Sequence, residues 1–391
     1  MSIKYEVSEG LLTGAEQKQM NNNFEVLSPH DYFITLQERI PKAERRVWLK
    51  TMNFEADHIF GSLSHLMKKA AARGVDTRFS CDWFTLMVTD GQLDIFRSLN
   101  KERNKFRKFR QRNKREALID LENGGVEVAI TNPTMNKLGQ LNPGSGRNHI
   151  KIGIIDNTAY LGGINLSDKD FTREDFMIQI GEPSVVQALA DLYTVTPTID
   201  TTIDCASNTS LLIDSGTKKK SIILDTACQA ISDSETSVTI TSQFAIDRPL
   251  LECLDEAVYR GKRVTVVVSD PSKITETIPW FFDRANFWIE RGVQLRIPTF
   301  EYPNWIHFKV ALIDAQTPHQ VLIAGTHNFS GKGVSWGNGE AAIMTTDEHL
   351  ITVFDSKLSE LLSRTRARSN LSVLRQIQQD IGAFQSRSAT L

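Results

Sequence analysis

RNHIKIGIIDNTAYLGGIN, residues 147–165, and WIHFKVALID, residues 305–314, both carry His-x-Lys-x4-Asp, at His149/Lys151/Asp156 and His307/Lys309/Asp314. In the first, Ile150, Ile152 and Ile154 alternate with His149, Lys151 and Gly153, the period of a strand with one face in a core. In the second, Phe308, Val310 and Leu312 alternate with His307 and Lys309. Residues i and i+2 of a strand share a face, so each His is predicted to lie beside its Lys. A Gly-containing turn and an Asn follow each strand: GGIN ends at Asn165 and GTHN at Asn328.

Reading outward from these strands shows a duplication. Residues 47–82 and 238–270 each read as a β-rich run, an amphipathic helix closed by Gly74 or Gly261, and a second β-rich run ending in Asp. Strand, helix and strand with short connections is a βαβ unit, which predicts parallel strands. A polar stretch, Thr194–Lys220, reads as the linker between halves. The predicted domains are 24–205, with a basic insert near 84–120, then 206–365, and a helical tail over 366–391.

The residue types point to phosphodiester chemistry. Charge grows on the non-bridging oxygens during attack, so fixed donors must surround them. Lys151, Lys309, Asn165 and Asn328 supply two ammonium groups and two amides. Two histidines can act as nucleophile and as the acid that protonates a leaving alcohol. An imidazole in either role needs its other nitrogen held by an acceptor. Asp175, in REDFMIQI, and Glu340, in GNGEAAIM, each open the apolar run after the Asn and are the expected acceptors. Asp156 and Asp314 end their strands and are expected to stabilise turns. One such motif arises by chance in roughly a few per cent of chains; two at equivalent places do not.

Composition narrows the remaining choices. The 391 residues are 40% hydrophobic and 24% charged, with net charge -2, so anion binding must come from a local patch. The basic run 101–116 is that patch: Lys101, Arg103, Lys105, Arg107, Lys108, Arg110 and Arg112 fall on a predicted helix with Phe106 and Phe109. Its expected partner is an anionic membrane surface, with a nucleic-acid backbone as the alternative. The four scattered cysteines form no CxxC pair and read as free thiols. No metal or cofactor is predicted. No window is apolar enough to span a membrane, so the expected location is cytoplasmic, or peripheral at the inner face of a membrane.

With TNP at 131–133, RNHIK, AYLGGIN and REDFMIQIGEP in place, the chain resembles the phospholipase D superfamily from about Val26 to Leu361, and most closely its bacterial cardiolipin synthase-like members. The resemblance implies an α/β fold of two α/β/α-sandwich halves related by pseudo-twofold symmetry, with both His-x-Lys strands in one site. It implies a covalent phosphohistidine, His149 as nucleophile and His307 as general acid. A phosphatidyltransferase or phospholipase acting on glycerophospholipids is the expected activity, and a metal-independent nuclease or nucleic-acid phosphodiesterase is the alternative. Two motifs in one chain predict a monomer. The second motif ends GTHNFSGKG rather than Asn-x-Asp followed by Arg-Ser, so the second half is the more generic.

Overall fold

The computed structural model describes residues 23–89, 92–93, 101–132, 146–205, 208–243, 249–269, 288–300 and 305–367. In chain order the first half contains β1 (Phe24–Leu27), α1 (Pro29–Arg39), β2 (Arg46–Thr51), α2 (His58–Ala72) and β3 (Asp76–Asp82). A small hairpin, β4 (Val88–Thr89) and β5 (Gln92–Leu93), precedes α3 (Lys101–Asn123) and β6 (Glu127–Thr131). Then come β7 (Ile152–Ile155), β8 (Thr158–Gly162), β9 (Met177–Ile180) and α4 (Pro183–Thr194). The second half opens with the hairpin β10 (Thr201–Asp204) and β11 (Thr209–Ser215), then α5 (Ile222–Asp233), β12 (Ser237–Ser242), α6 (Leu250–Tyr259) and β13 (Arg263–Val268). It closes with β14 (Gln294–Pro298), β15 (Val310–Ile313), β16 (Val321–Gly325), α7 (Gly331–Trp336), β17 (Gly339–Thr345), α8 (Glu348–Ser363) and β18 (Thr365–Ala367).

Strand order exposes the duplication. The first sheet runs β1-β9-β8-β7-β2-β3-β6, and the second contains the matching series β17-β16-β15-β12-β13-β14, flanked by β10-β11 and β18. Both predicted βαβ units form, with β2 parallel to β3 and β12 parallel to β13. Gly74 and Gly261 adopt φ of 83° and 79° where the helix turns into the next strand, the left-handed conformation that costs glycine least. The sheets are mixed rather than wholly parallel, because β7-β8-β9 and β15-β16-β17 join them as antiparallel hairpins.

Three apolar layers hold this arrangement. The central one packs the inner faces of both sheets together with α4 and α8, and it buries Ile150, Ile152 and Ile154 against Phe308, Val310 and Leu312. The outer layers lie under α1, α2 and α3 on one side and α5 and α6 on the other. Burying both faces of each motif strand fixes its register, since a one-residue slip would send His149 and Lys151 into the central apolar layer.

Three expectations need correction. Thr194–Lys220 is not a plain linker: it carries the hairpin β10–β11, whose buried β11 pairs with β17 in the second sheet. Its apolar run, Leu211 to Ile213, explains why. Cys228 and Cys253 are not free thiols but a disulfide with Cα atoms 5.5 Å apart, because α5 and α6 pack side by side; Cys81 and Cys205 are free. The helix over 101–116 exists and continues to Asn123, yet Lys114 is fully buried, 2.8 Å from Glu55, so one of the run's cations anchors the helix instead of facing out. The tail from residue 368 onward lies outside the described residues.

Candidate active site

His149 and His307 meet where the two halves join. Strands β7 and β15 begin only at Ile152 and Val310, so each His-x-Lys is an extended lead-in rather than part of a sheet. The backbone N–H of His149 instead donates across the interface to the Gly339 carbonyl, and that of His307 donates to the Glu174 carbonyl, both at 2.8 Å. Isolated parallel bridges, Asn148 to Gly339 and Glu174 to Ile306, mark the two crossings. Each half therefore lends its histidine to the other half's β17 or β9 lead-in.

The side chains cross in the same way. His149 Nδ1 lies 2.8 Å from Glu340 Oε2, and His307 Nδ1 lies 2.6 Å from Asp175 Oδ2. A carboxylate on Nδ1 holds the proton there and leaves Nε2 for chemistry. Lys151 Nζ donates to the carbonyl of His149 at 2.6 Å, and Lys309 Nζ donates to that of His307 at 2.7 Å. Each lysine is thus folded back beside its histidine, with further N–H groups available.

Burial controls the electrostatics. It pushes Lys151 down to about 8 and Lys309 down to about 7, opposed by Glu340 and Asp175. Both histidines fall below their ordinary value for the same reason, His307 the further, helped by Lys309 and Arg173. The carboxylates diverge. Burial raises Asp175 to about 7, whereas in Glu340 the effect of burial is outweighed by His149, His327 and Lys151, which hold it below the usual range.

The asparagines occupy equivalent places after β8 and β16 but differ in commitment. Asn165 Oδ1 accepts from Thr51 Oγ1 and the Asn53 N–H, both at 3.2 Å, which leaves its amino group to donate elsewhere. Asn328 is held through its backbone carbonyl by Ser242 Oγ at 2.5 Å, and its Oδ1 is buried without a partner among the described residues. Asp156 and Asp314 lie away from this cluster, at φ of 51° and 49°. Asp156 accepts from the N–H groups of Glu44, Arg45 and Arg46, and Asp314 from those of Glu235, Thr236 and Ser237. Those bonds offset burial and depress both carboxyls.

Several contributors escaped the sequence reading. Thr326 Oγ1 donates to Glu340 Oε2 at 2.5 Å, while the equivalent Gly163 leaves the space that Asp175 fills. Laying GGIN over GTHN position by position would have shown that difference. Arg173 is buried next to the cluster, and Arg364 grips Glu174 with both terminal nitrogens at 2.7 and 2.8 Å. Neither carries a local signal, because both act across the interface. In the basic run Lys105, Lys108 and Arg112 are exposed and Arg110 is half-buried, with Phe109 51% exposed on the same helix. The side chains of Lys101, Arg103, Phe106 and Arg107 lie outside the described residues. Among the described residues no helix is long and apolar enough to cross a membrane, and no cluster of His, Cys, Asp or Glu could hold a metal ion.

A family model described as "Cardiolipin synthase, PLD-like domain" matches residues 36–193 and 227–362. The fold is similar to that of phosphatidylserine synthase from Haemophilus influenzae Rd KW20, at TM-score 0.67 and 14% identity, covering 96% of this chain and 97% of that one. It is also similar to polyphosphate kinase from Porphyromonas gingivalis, at TM-score 0.53 and 11% identity, covering 90% of this chain and 54% of that one. No curated protein sequence matches the chain significantly.

Proposed function

The chain belongs to the family of cardiolipin synthase, PLD-like domains, and we propose that it transfers the phosphatidyl group of a glycerophospholipid through a phosphohistidine. The observation that carries this reading is the pair of crossed dyads, His149–Glu340 and His307–Asp175, with a buried lysine beside each. His149 Nε2 attacks phosphorus and the bond to the headgroup oxygen breaks. His307 gives that oxygen its proton. In the second step His307 takes a proton from the acceptor alcohol, or from water, as its oxygen attacks phosphorus and the P–N bond breaks. Phosphorus thus exchanges one oxygen substituent for another, and both histidines return to their starting state.

This division of labour is the one the family resemblance implies, with each carboxylate fixing the tautomer of its histidine. Glu340 stays ionised and keeps the proton on His149 Nδ1, so Nε2 presents a lone pair. Asp175, which burial raises to about 7, lies 2.6 Å from His307 Nδ1 and orients the ring whose Nε2 gives and takes the proton. Lys151, Lys309, Asn165 and Asn328 supply the donors for the phosphoryl oxygens. An entering phosphodiester anion restores full charge to the lysines and raises His307 towards its protonated form.

A lipid substrate is supported by the family match and by α3, whose exposed Lys105, Lys108 and Arg112 accompany exposed Phe109, a combination suited to an anionic bilayer surface. The deciding experiment incubates the purified protein with phosphatidylglycerol vesicles or with DNA, each in EDTA, and locates the adduct by mass spectrometry. A phosphatidyl adduct on His149 is expected. A nucleotide adduct, or no turnover of any phospholipid, overturns the lipid reading.

A further inference from the structure

The two histidines share a near-symmetric frame, yet their neighbourhoods differ in charge. Two residues before Asp175 stands Arg173; two residues before Glu340 stands Asn338. Asn338 is used internally, accepting from the Arg147 N–H at 3.2 Å. Arg147, two residues before His149, turns away to Asp82 at 3.1 Å. Its counterpart before His307 is Trp305, and Arg173 lies over that indole with Cζ 4.8 Å from the ring centre. Lys169 Nζ lies over the same ring at 5.3 Å.

Arg173 is 9% exposed and forms an ion pair with Asp170, which Ser167 Oγ holds at 2.5 Å. Stacking and pairing fix the plane of the guanidinium. Its Nε is nonetheless buried and has no partner among the described residues. A buried N–H left unpaired is costly, so a site that retains one is suited to receive an acceptor. The charge of Arg173 depresses His307, Lys151 and Lys309 together, which places it within electrostatic reach of the whole phosphoryl site.

We infer that Arg173, backed by Trp305, forms a second anion position beside His307, one that takes a phosphate or carboxylate carried by the substrate in addition to the phosphodiester under attack. This deepens the proposed function and rests on the phosphoryl site described there. The pseudo-twofold frame gives both substrates one phosphoryl position; Arg173 makes the His307 side the one that reads an anionic group.

Equilibrium calorimetry on the full chain, without turnover, tests it with two probes: propyl phosphate, carrying one anionic group, and 1,3-propanediol bisphosphate, carrying two. The wild-type protein is expected to bind the bisphosphate about tenfold tighter, the scale of one charge-assisted contact. Arg173→Gln should abolish that preference and leave propyl phosphate within about twofold. Arg173→Lys, which keeps the charge and loses the fork, should retain part of it and decides the matter if Arg173→Gln does not fold. An undiminished preference in these variants, or equal weakening of both probes, overturns the inference. Because no lipid is turned over, this outcome is separate from the fate of the proposed activity.

Discussion

His149 and His307 each present Nδ1 to a carboxylate of the other half, and the leaving group tells their proposed roles apart. Removing an acid matters less when the leaving group departs without a proton. His307→Ala should therefore slow reaction with an alkyl leaving group by about 10²–10⁴-fold, and with p-nitrophenolate far less. Equal losses on the two substrates, read as initial rates, would contradict the acid role. His149→Ala should abolish adduct formation with both. The lysines are expected to set the pH dependence of anion binding. Their folded values, about 7 for Lys309 and about 8 for Lys151, lie below the ordinary value, so both lose their protons as pH rises through that window. Affinity for propyl phosphate should accordingly fall between pH 6 and 9, and calorimetry showing a flat profile would remove the ammonium groups from the site.

At the scale of elements, the strand ends and α3 each make a testable statement. Asp156 and Asp314 tie the turns after β7 and β15 to the starts of β2 and β12 through backbone N–H groups. Replacing Asp314 by Ala leaves those donors unpaired and should lower stability by about 1–3 kcal/mol in urea unfolding, with adduct formation on His149 retained. Its folded pKa is depressed, so the stabilisation is present above the unfolded aspartate value and is lost as pH falls through the folded one. A destabilisation as large at pH 2 as at pH 7 would contradict this origin. For α3, reversing Lys105, Lys108 and Arg112 to Glu should weaken binding to anionic vesicles by at least about tenfold, in a salt-sensitive way, without changing turnover of a short-chain soluble substrate. Unchanged vesicle sedimentation would take the helix out of membrane contact.

At the scale of the whole molecule, neither half completes a dyad alone. Glu340→Gln, in the second half, should impair attack by His149 in the first, slowing adduct formation by about 10²–10⁴-fold. Asp175→Asn, in the first half, should impair proton transfer by His307 in the second and show the leaving-group dependence described above. Rapid-quench kinetics that assign the defects the other way round would break the crossed pairing. The Arg364–Glu174 clamp belongs to this scale too, since it fastens the end of α8 to the residue whose carbonyl receives the His307 N–H.

Alternation in RNHIKIGIID and WIHFKVALID determined which residues of each motif enter the apolar layer, because a strand has only two faces. The βαβ repeats determined the duplication, and the residue types pointed to phosphodiester chemistry. Asp175 and Glu340 were legible as acceptors from their place after each Asn, but not which histidine each serves. That choice, with Thr326, Arg173, Arg364 and the Cys228–Cys253 disulfide, was decided only when the halves and helices packed. Each of those partnerships joins side chains from different elements, and no periodicity within one segment records the element packed against it.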